Sequence, residues 1–134
     1  MPLTGMEHYL VLTDDLDATR DFYRDALGME VGERPDLPFP GYWLYLGGVP
    51  RVHVAEWETY TAHSDRIGIP ASTRTGGSGA VDHLAFSADD YDDVLARLER
   101  SGVEAKPNEI PGVLRQLFLH DPNGVKIEIN VPSG

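Results

Sequence analysis

Residues 6–31 read MEHYLVLTDDLDATRDFYRDALGMEV, and residues 81–105 answer them as VDHLAFSADDYDDVLARLERSGVEA. A shift of 75 residues carries His8 onto His83, and Asp14, Asp15 and Asp17 onto Asp89, Asp90 and Asp92. The same shift carries His53 onto Glu128. An internal repeat decides the architecture before any single residue does. This one predicts a single domain built from two modules, 1–56 and 81–134, joined by a linker at 57–80.

Each module opens with a strand, 6–12 and 81–87, in which β-branched and aromatic residues alternate with others. Each strand runs into an acidic cluster that caps a helix, because Asp accepts from free N–H groups and complements the dipole. The first helix shows Leu16, Thr19, Phe22, Tyr23, Ala26 and Leu27 at helical spacing, and Gly28 closes it. The second shows Tyr91, Val94, Leu95 and Leu98, closed by Gly102. Short strands follow at Met29–Gly32 and Val103–Lys106. Each module ends in a hairpin, 42–46 with 51–55 around Gly47-Gly48, and 117–120 with 125–130 around Asp121-Pro122-Asn123-Gly124. The unit is βαβββ, used twice in an α+β fold. The linker, ending in Thr75-Gly76-Gly77-Ser78-Gly79, reads as a flexible connection; it lacks the Gly-Lys-Ser/Thr ending of a phosphate loop.

The bulk numbers narrow the function. With 22 acidic and 11 basic residues the net charge is −11, which repels phosphate backbones and argues against nucleic acid as a partner. No apolar run approaches the roughly 20 residues of a membrane span, and no signal peptide is visible. The absence of cysteine removes disulfides, thiolate ligands and cysteine nucleophiles, and fits a cytoplasmic location.

Imidazole and carboxylate are then the available metal ligands. His8 and His83 stand in the two opening strands, and His53 and Glu128 in the two closing strands, each five residues beyond Gly48 and Asn123 respectively. Three of the five histidines fall on repeated positions, and the fourth position is a glutamate inside VKIEIN. A glutamate in a strand needs a cation or a proton when buried. Two imidazoles and a carboxylate on one ion leave positions open for a substrate. Strand parity leaves two faces open: Tyr42 and Leu44 with Leu117 and Leu119, or Trp43 and Tyr45 with Phe118 and His120. Tyr45 and His120 are 75 apart and are candidate hydrogen-bonding catalytic residues beside His53.

The βαβββ repeat, DFYRDALGMEVGERP and LFLHDPNGVKIEIN together resemble the vicinal oxygen chelate superfamily, across nearly the whole chain except the linker. That family includes glyoxalase I, epimerases, extradiol dioxygenases, fosfomycin-resistance transferases and metal-free bleomycin-resistance proteins. The resemblance implies two modules forming a paired, partly open barrel around a central metal site, and a homodimer acting on a small molecule with adjacent oxygens. By position His8, His83 and Glu128 match the family's three usual ligands and His53 the fourth. The 2-His-1-carboxylate set favours an Fe2+ extradiol-type dioxygenase in which His53 is an acid/base. The alternatives are a glyoxalase- or epimerase-like isomerase or lyase using Zn2+, Ni2+, Co2+ or Mn2+ with His53 as a ligand, and a ligand-sequestering protein without turnover.

Overall fold

The computed structural model describes residues 2–133. The chain makes two compact units, one comprising residues up to Arg20 with Met29–Thr73, the other Asp21–Gly28 with the chain from Arg74 onward. Each unit holds a four-stranded mixed sheet.

In the first unit the strands are β1 (Tyr9–Thr13), β2 (Glu30–Gly32), β3 (Gly41–Leu46) and β4 (Val49–Glu56), in the order β1-β4-β3-β2. β1 runs parallel to β4, and the other pairs are antiparallel. Alternation does the sorting: Leu44, Val52, Val54 and Val11 are buried, while His53 and Trp43, of the opposite parity, stand on the other face. Helix α1 (Leu16–Asp21) serves the buried face. Asp15 accepts from the Ala18 N–H and so caps it, and Thr19, fully buried, donates to the Thr13 hydroxyl. The Tyr42 hydroxyl donates to Asp17 and accepts from Arg20 on the same helix. Gly47 and Gly48, with φ of 59° and 79°, make the two-residue turn whose twist matches a hairpin.

The second unit repeats the plan with β5 (Leu84–Ser87), β6 (Lys106–Ile110), β7 (Leu114–His120) and β8 (Lys126–Pro132), ordered β5-β8-β7-β6. Leu117, Leu119, Ile127, Ile129 and Val131 are its buried face. Helix α3 (Tyr91–Arg100) is capped by Asp90, which accepts from the Asp93 N–H. Asp15 and Asp90 are equivalent under the repeat.

Three local features differ from the sequence expectation. The first half of the segment 57–80 is not a flexible connection: Trp57–Arg66 forms helix α2, packed back on β4 and burying Ser64. The glycine-rich half is also engaged, because Ser78 accepts from the Lys126 N–H beside the β7–β8 turn. The edge strand β6 begins at Lys106 rather than Val103, because the Val103 N–H is still bonded to the Leu98 carbonyl of α3. Pro107 is tolerated there because β6 is an edge.

The third difference lies in the first helix. After Asp21 it widens into a π-helical turn, Phe22–Ala26, where Leu27 N–H reaches the Phe22 carbonyl five residues back. This turn belongs to the second unit. Tyr23 is fully buried there and donates to Asp121, whose other oxygen accepts from the Asn123 and Val125 N–H groups.

Candidate functional site

Register fixes which side chains share a face with the candidate ligands. His53 lies opposite Trp43, and Glu128 opposite Phe118, so the structure adopts the second of the two strand parities. The two pairs are equivalent under the 75-residue shift.

In the first unit the sheet order β1-β4-β3 sets three rings side by side. The His53 ring stacks on Trp43 at 4.1 Å between centroids and 12° between planes, and on His8 at 3.7 Å and 10°. The stack immobilises His53. Its Nε2 is buried and has no hydrogen-bond partner. Burial, and then the neighbouring His8, hold this imidazole below its ordinary pKa and favour the neutral form.

His8 and His83 share a second device. His8 Nδ1 lies 2.9 Å from Glu7 Oε1, and His83 Nδ1 lies 2.8 Å from Asp82 Oδ2. A carboxylate only accepts, so each Nδ1 carries the hydrogen, and in the neutral ring Nε2 is the nitrogen with the lone pair. Metal-binding histidines are commonly oriented in this way. The signal was present in the sequence, since Glu7 and Asp82 are also 75 residues apart.

In the second unit His83 Nε2 faces Glu128 Oε1 at 3.5 Å. With Nδ1 protonated, two lone pairs confront each other, an arrangement stabilised by a cation or an added proton. Their separation is close to the edge of a tetrahedron with arms of about 2.1 Å, an ordinary zinc–ligand length. Glu128 is only 13% exposed. The donor chemistry thus fits a divalent ion. Among the described residues no three His, Asp or Glu side chains cluster as a complete ion site; the donors meet in pairs, one within each unit. His8 and His53 cannot serve one ion while stacked, because imidazole lone pairs lie in the ring planes and these planes are parallel.

Tyr45 and His120 lie near the turn ends of β3 and β7. A bulge at Leu44/Tyr45 shifts the register so that Tyr45 pairs with Pro50. Its hydroxyl donates to the Glu33 carbonyl at 2.6 Å, so its proton is engaged. His120 is exposed at the end of β7, on a groove of about 1040 Å³ that also takes in Phe118 and both lysines of the chain, Lys106 and Lys126. His63 packs with Phe39 in the first unit.

The sequence profile of the Glyoxalase/Bleomycin resistance protein/Dioxygenase superfamily matches residues 5–129. A protein of Arabidopsis thaliana called Glyoxylase I 4 is 30% identical over 131 residues, covering 95% of this chain and 70% of its own length. A lactoylglutathione lyase of Neisseria meningitidis is 26% identical, over 90% of this chain and 86% of its own. The crystal structure of a lactoylglutathione lyase from Agrobacterium tumefaciens superposes with a TM-score of 0.72 at 21% identity, covering 97% of this chain and 95% of that one. That likeness establishes the tandem α+β fold. Repeat, fold and sequence profile agree, and the chain belongs to the Glyoxalase/Bleomycin resistance protein/Dioxygenase superfamily.

Proposed function

We propose that the protein is a divalent-metal-dependent lyase or isomerase acting on a small molecule with two adjacent oxygens. His8, His83 and Glu128 hold the ion, and His53 moves a proton. One observation carries this reading: the His8 and His83 rings each turn Nδ1 to a carboxylate oxygen, and the His53 Nε2 is buried with no hydrogen-bond partner. Rings held through Nδ1 suit ligation through Nε2, and a buried ring nitrogen without a partner suits proton transfer, since buried polar groups are ordinarily satisfied.

The ion supplies Lewis-acid stabilisation of negative charge on the substrate oxygens. Glu7 and Asp82 hold the His8 and His83 rings in one tautomer. Trp43 and His8 hold the His53 ring flat between them. His53 Nε2 is then the group that accepts a proton from carbon and returns it, the role of a neutral base. The relatives named lactoylglutathione lyase favour this chemistry over oxygenation.

The Fe2+ extradiol-type dioxygenase is the second reading. It is favoured by the stacking of His53 on His8, which leaves a 2-His-1-carboxylate set without a fourth ligand. Protein loaded in turn with Zn2+, Ni2+, Co2+, Mn2+ and Fe2+ separates the two. Deuterium wash-in from D2O next to a carbonyl, across a panel of α-hydroxyketones and thiohemiacetals without oxygen, supports the lyase or isomerase. Oxygen uptake with catechols on Fe2+ alone, without wash-in, replaces it by the dioxygenase. Absence of stoichiometric metal would return the protein to the ligand-sequestering class.

Two further proposals accompany this reading. The protein acts as a homodimer, which covers exposed sheet edges, and it works in the cytoplasm. No helix among the described residues is long and apolar enough to cross a membrane. Sedimentation at high micromolar concentration tests the dimer, a monomer being the contrary result.

A further inference from the structure

The open face of the second sheet carries a chain of side-chain amides that the proposed reaction does not use. Asn108, on β6, donates from Nδ2 to Gln116 Oε1 at 2.7 Å. Gln116, on β7, donates from Nε2 to Asn130 Oδ1 at 3.2 Å. Asn130, on β8, donates from Nδ2 to Glu128 Oε2 at 2.8 Å. Register explains the contacts, since Asn108 lies opposite Gln116 and Gln116 opposite Asn130, while Glu128 is two residues from Asn130 on the same strand.

The chain has a direction. The Glu128 carboxylate only accepts, so Asn130 must present its NH2, its oxygen is left to accept from Gln116, and the order propagates outward to Asn108. Aligned amide dipoles polarise one another and strengthen the last bond, the one to Glu128. Gln116 is 8% exposed, so its amide is costly to bury unless the chain is complete.

The corresponding positions of the first unit show what the amides are for. Under the 75-residue shift Gln116 becomes Gly41 and Asn130 becomes Ala55, and these too lie opposite each other. No amide remains beside His53. An imidazole offers at most one lone pair to an ion. A carboxylate offers two equivalent oxygens and can bind an ion through one or both. Only at Glu128 is there a choice to make, and only there does the sheet carry amides.

The geometry points to Asn130 and Gln116 as positioning residues that make Glu128 a one-oxygen ligand: Asn130 occupies Oε2, Gln116 orients Asn130, and Oε1 is left to face the ion beside His83. This rests on the metal assignment proposed above. It predicts that the amides set metal affinity and coordination number rather than the fold.

The test is Asn130→Leu and Gln116→Leu in the full chain, titrated with Co2+ and with Mn2+ and followed by visible absorption and by electron paramagnetic resonance. The expected loss of affinity is about 10- to 100-fold for Asn130→Leu, as for other partners of metal ligands, and about threefold for the more remote Gln116→Leu. The Co2+ visible bands should weaken in Asn130→Leu, because a carboxylate freed to bind through both oxygens raises the coordination number. Circular dichroism should be unchanged. If the parent protein binds both ions and the variants match it in affinity and spectrum, the positioning role is refuted and the ligand assignment stands. If the parent binds neither ion, the ligand assignment itself falls and takes this role with it. If both variants lose their fold, the amides are a structural brace and the inference is overturned.

Discussion

The two sheets share one backbone plan and present opposite chemistry on their open faces. Under the repeat, Trp43 and His53 become Phe118 and Glu128, and Gly41 and Ala55 become Gln116 and Asn130. The first face is a stack of three rings, the second a row of amides ending on a carboxylate. On the first, a Cβ at Gly41 would run into the Val54 carbonyl oxygen and crowd the Arg34 guanidinium, which donates to Phe39. The buried faces tell a different story, since Leu44, Val52 and Val54 become Leu119, Ile127 and Ile129. The packed side is held constant by volume and apolarity, while the open side is free to specialise. What differs on the open side follows from the ligand each must orient, a ring in one case and a carboxylate in the other.

The comparison can be broken in several places. The largest expected effect is at its centre: Glu128→Ala should abolish stoichiometric metal binding, read by equilibrium dialysis, while the protein stays folded. His53→Ala should do the reverse, leaving metal affinity close to that of the parent and slowing turnover by about 10²–10⁴. Equal loss of metal in both variants would make the two positions chemically alike and erase the distinction. On the buried faces the equivalent pair Leu44→Ala and Leu119→Ala should each cost about 2–5 kcal/mol in urea unfolding, with matched values, because both side chains are essentially inaccessible. Tyr23→Phe, which has no counterpart in the first unit, should cost about 1–3 kcal/mol by leaving Asp121 short of a donor.

The smallest effect concerns pH. Burial holds the Asp121 carboxyl above its ordinary value of 3.8, against the pull of the Val125 and Asn123 N–H groups and the Tyr23 hydroxyl. The folded form therefore keeps a proton that the unfolded form releases. The stability contributed by this group is full below 3.8 and declines as pH rises through the raised folded value. Asp121→Asn should flatten that slope, measured as the urea midpoint across the mildly acidic range.

Much of this was written openly in the chain. The repeat, the capping aspartates Asp15 and Asp90, the Gly47-Gly48 turn and the four ligand positions can all be read from residue type and spacing. The partners of the ligands are harder to read. Gln116 and Asn130 look like ordinary polar residues in alternating strands until register sets them side by side. Parity cannot be counted back from the turn, because the bulge at Leu44/Tyr45 breaks simple counting along the first hairpin. Helix α2 hides in WETYTAHSDR, whose polar and β-branched residues give little helical periodicity, and its stability comes from packing on β4. Pairs such as Glu7-His8 and Asp82-His83 were legible, but only to a reader asking what fixes a tautomer.

The π-helical turn carries a consequence for how the molecule comes apart. Phe22, Tyr23 and Ala26 arise early in the chain and lie buried in the second unit, where Tyr23 supplies a bond to Asp121. A gene fragment ending after β4 would leave these three side chains bare, and one beginning at Val81 would leave Asp121 without its phenol. The duplication that the sequence advertises is therefore not a seam along which the protein can be cut. Chain order and compact unit are interleaved, since the second unit takes Asp21–Gly28 from the first half of the chain.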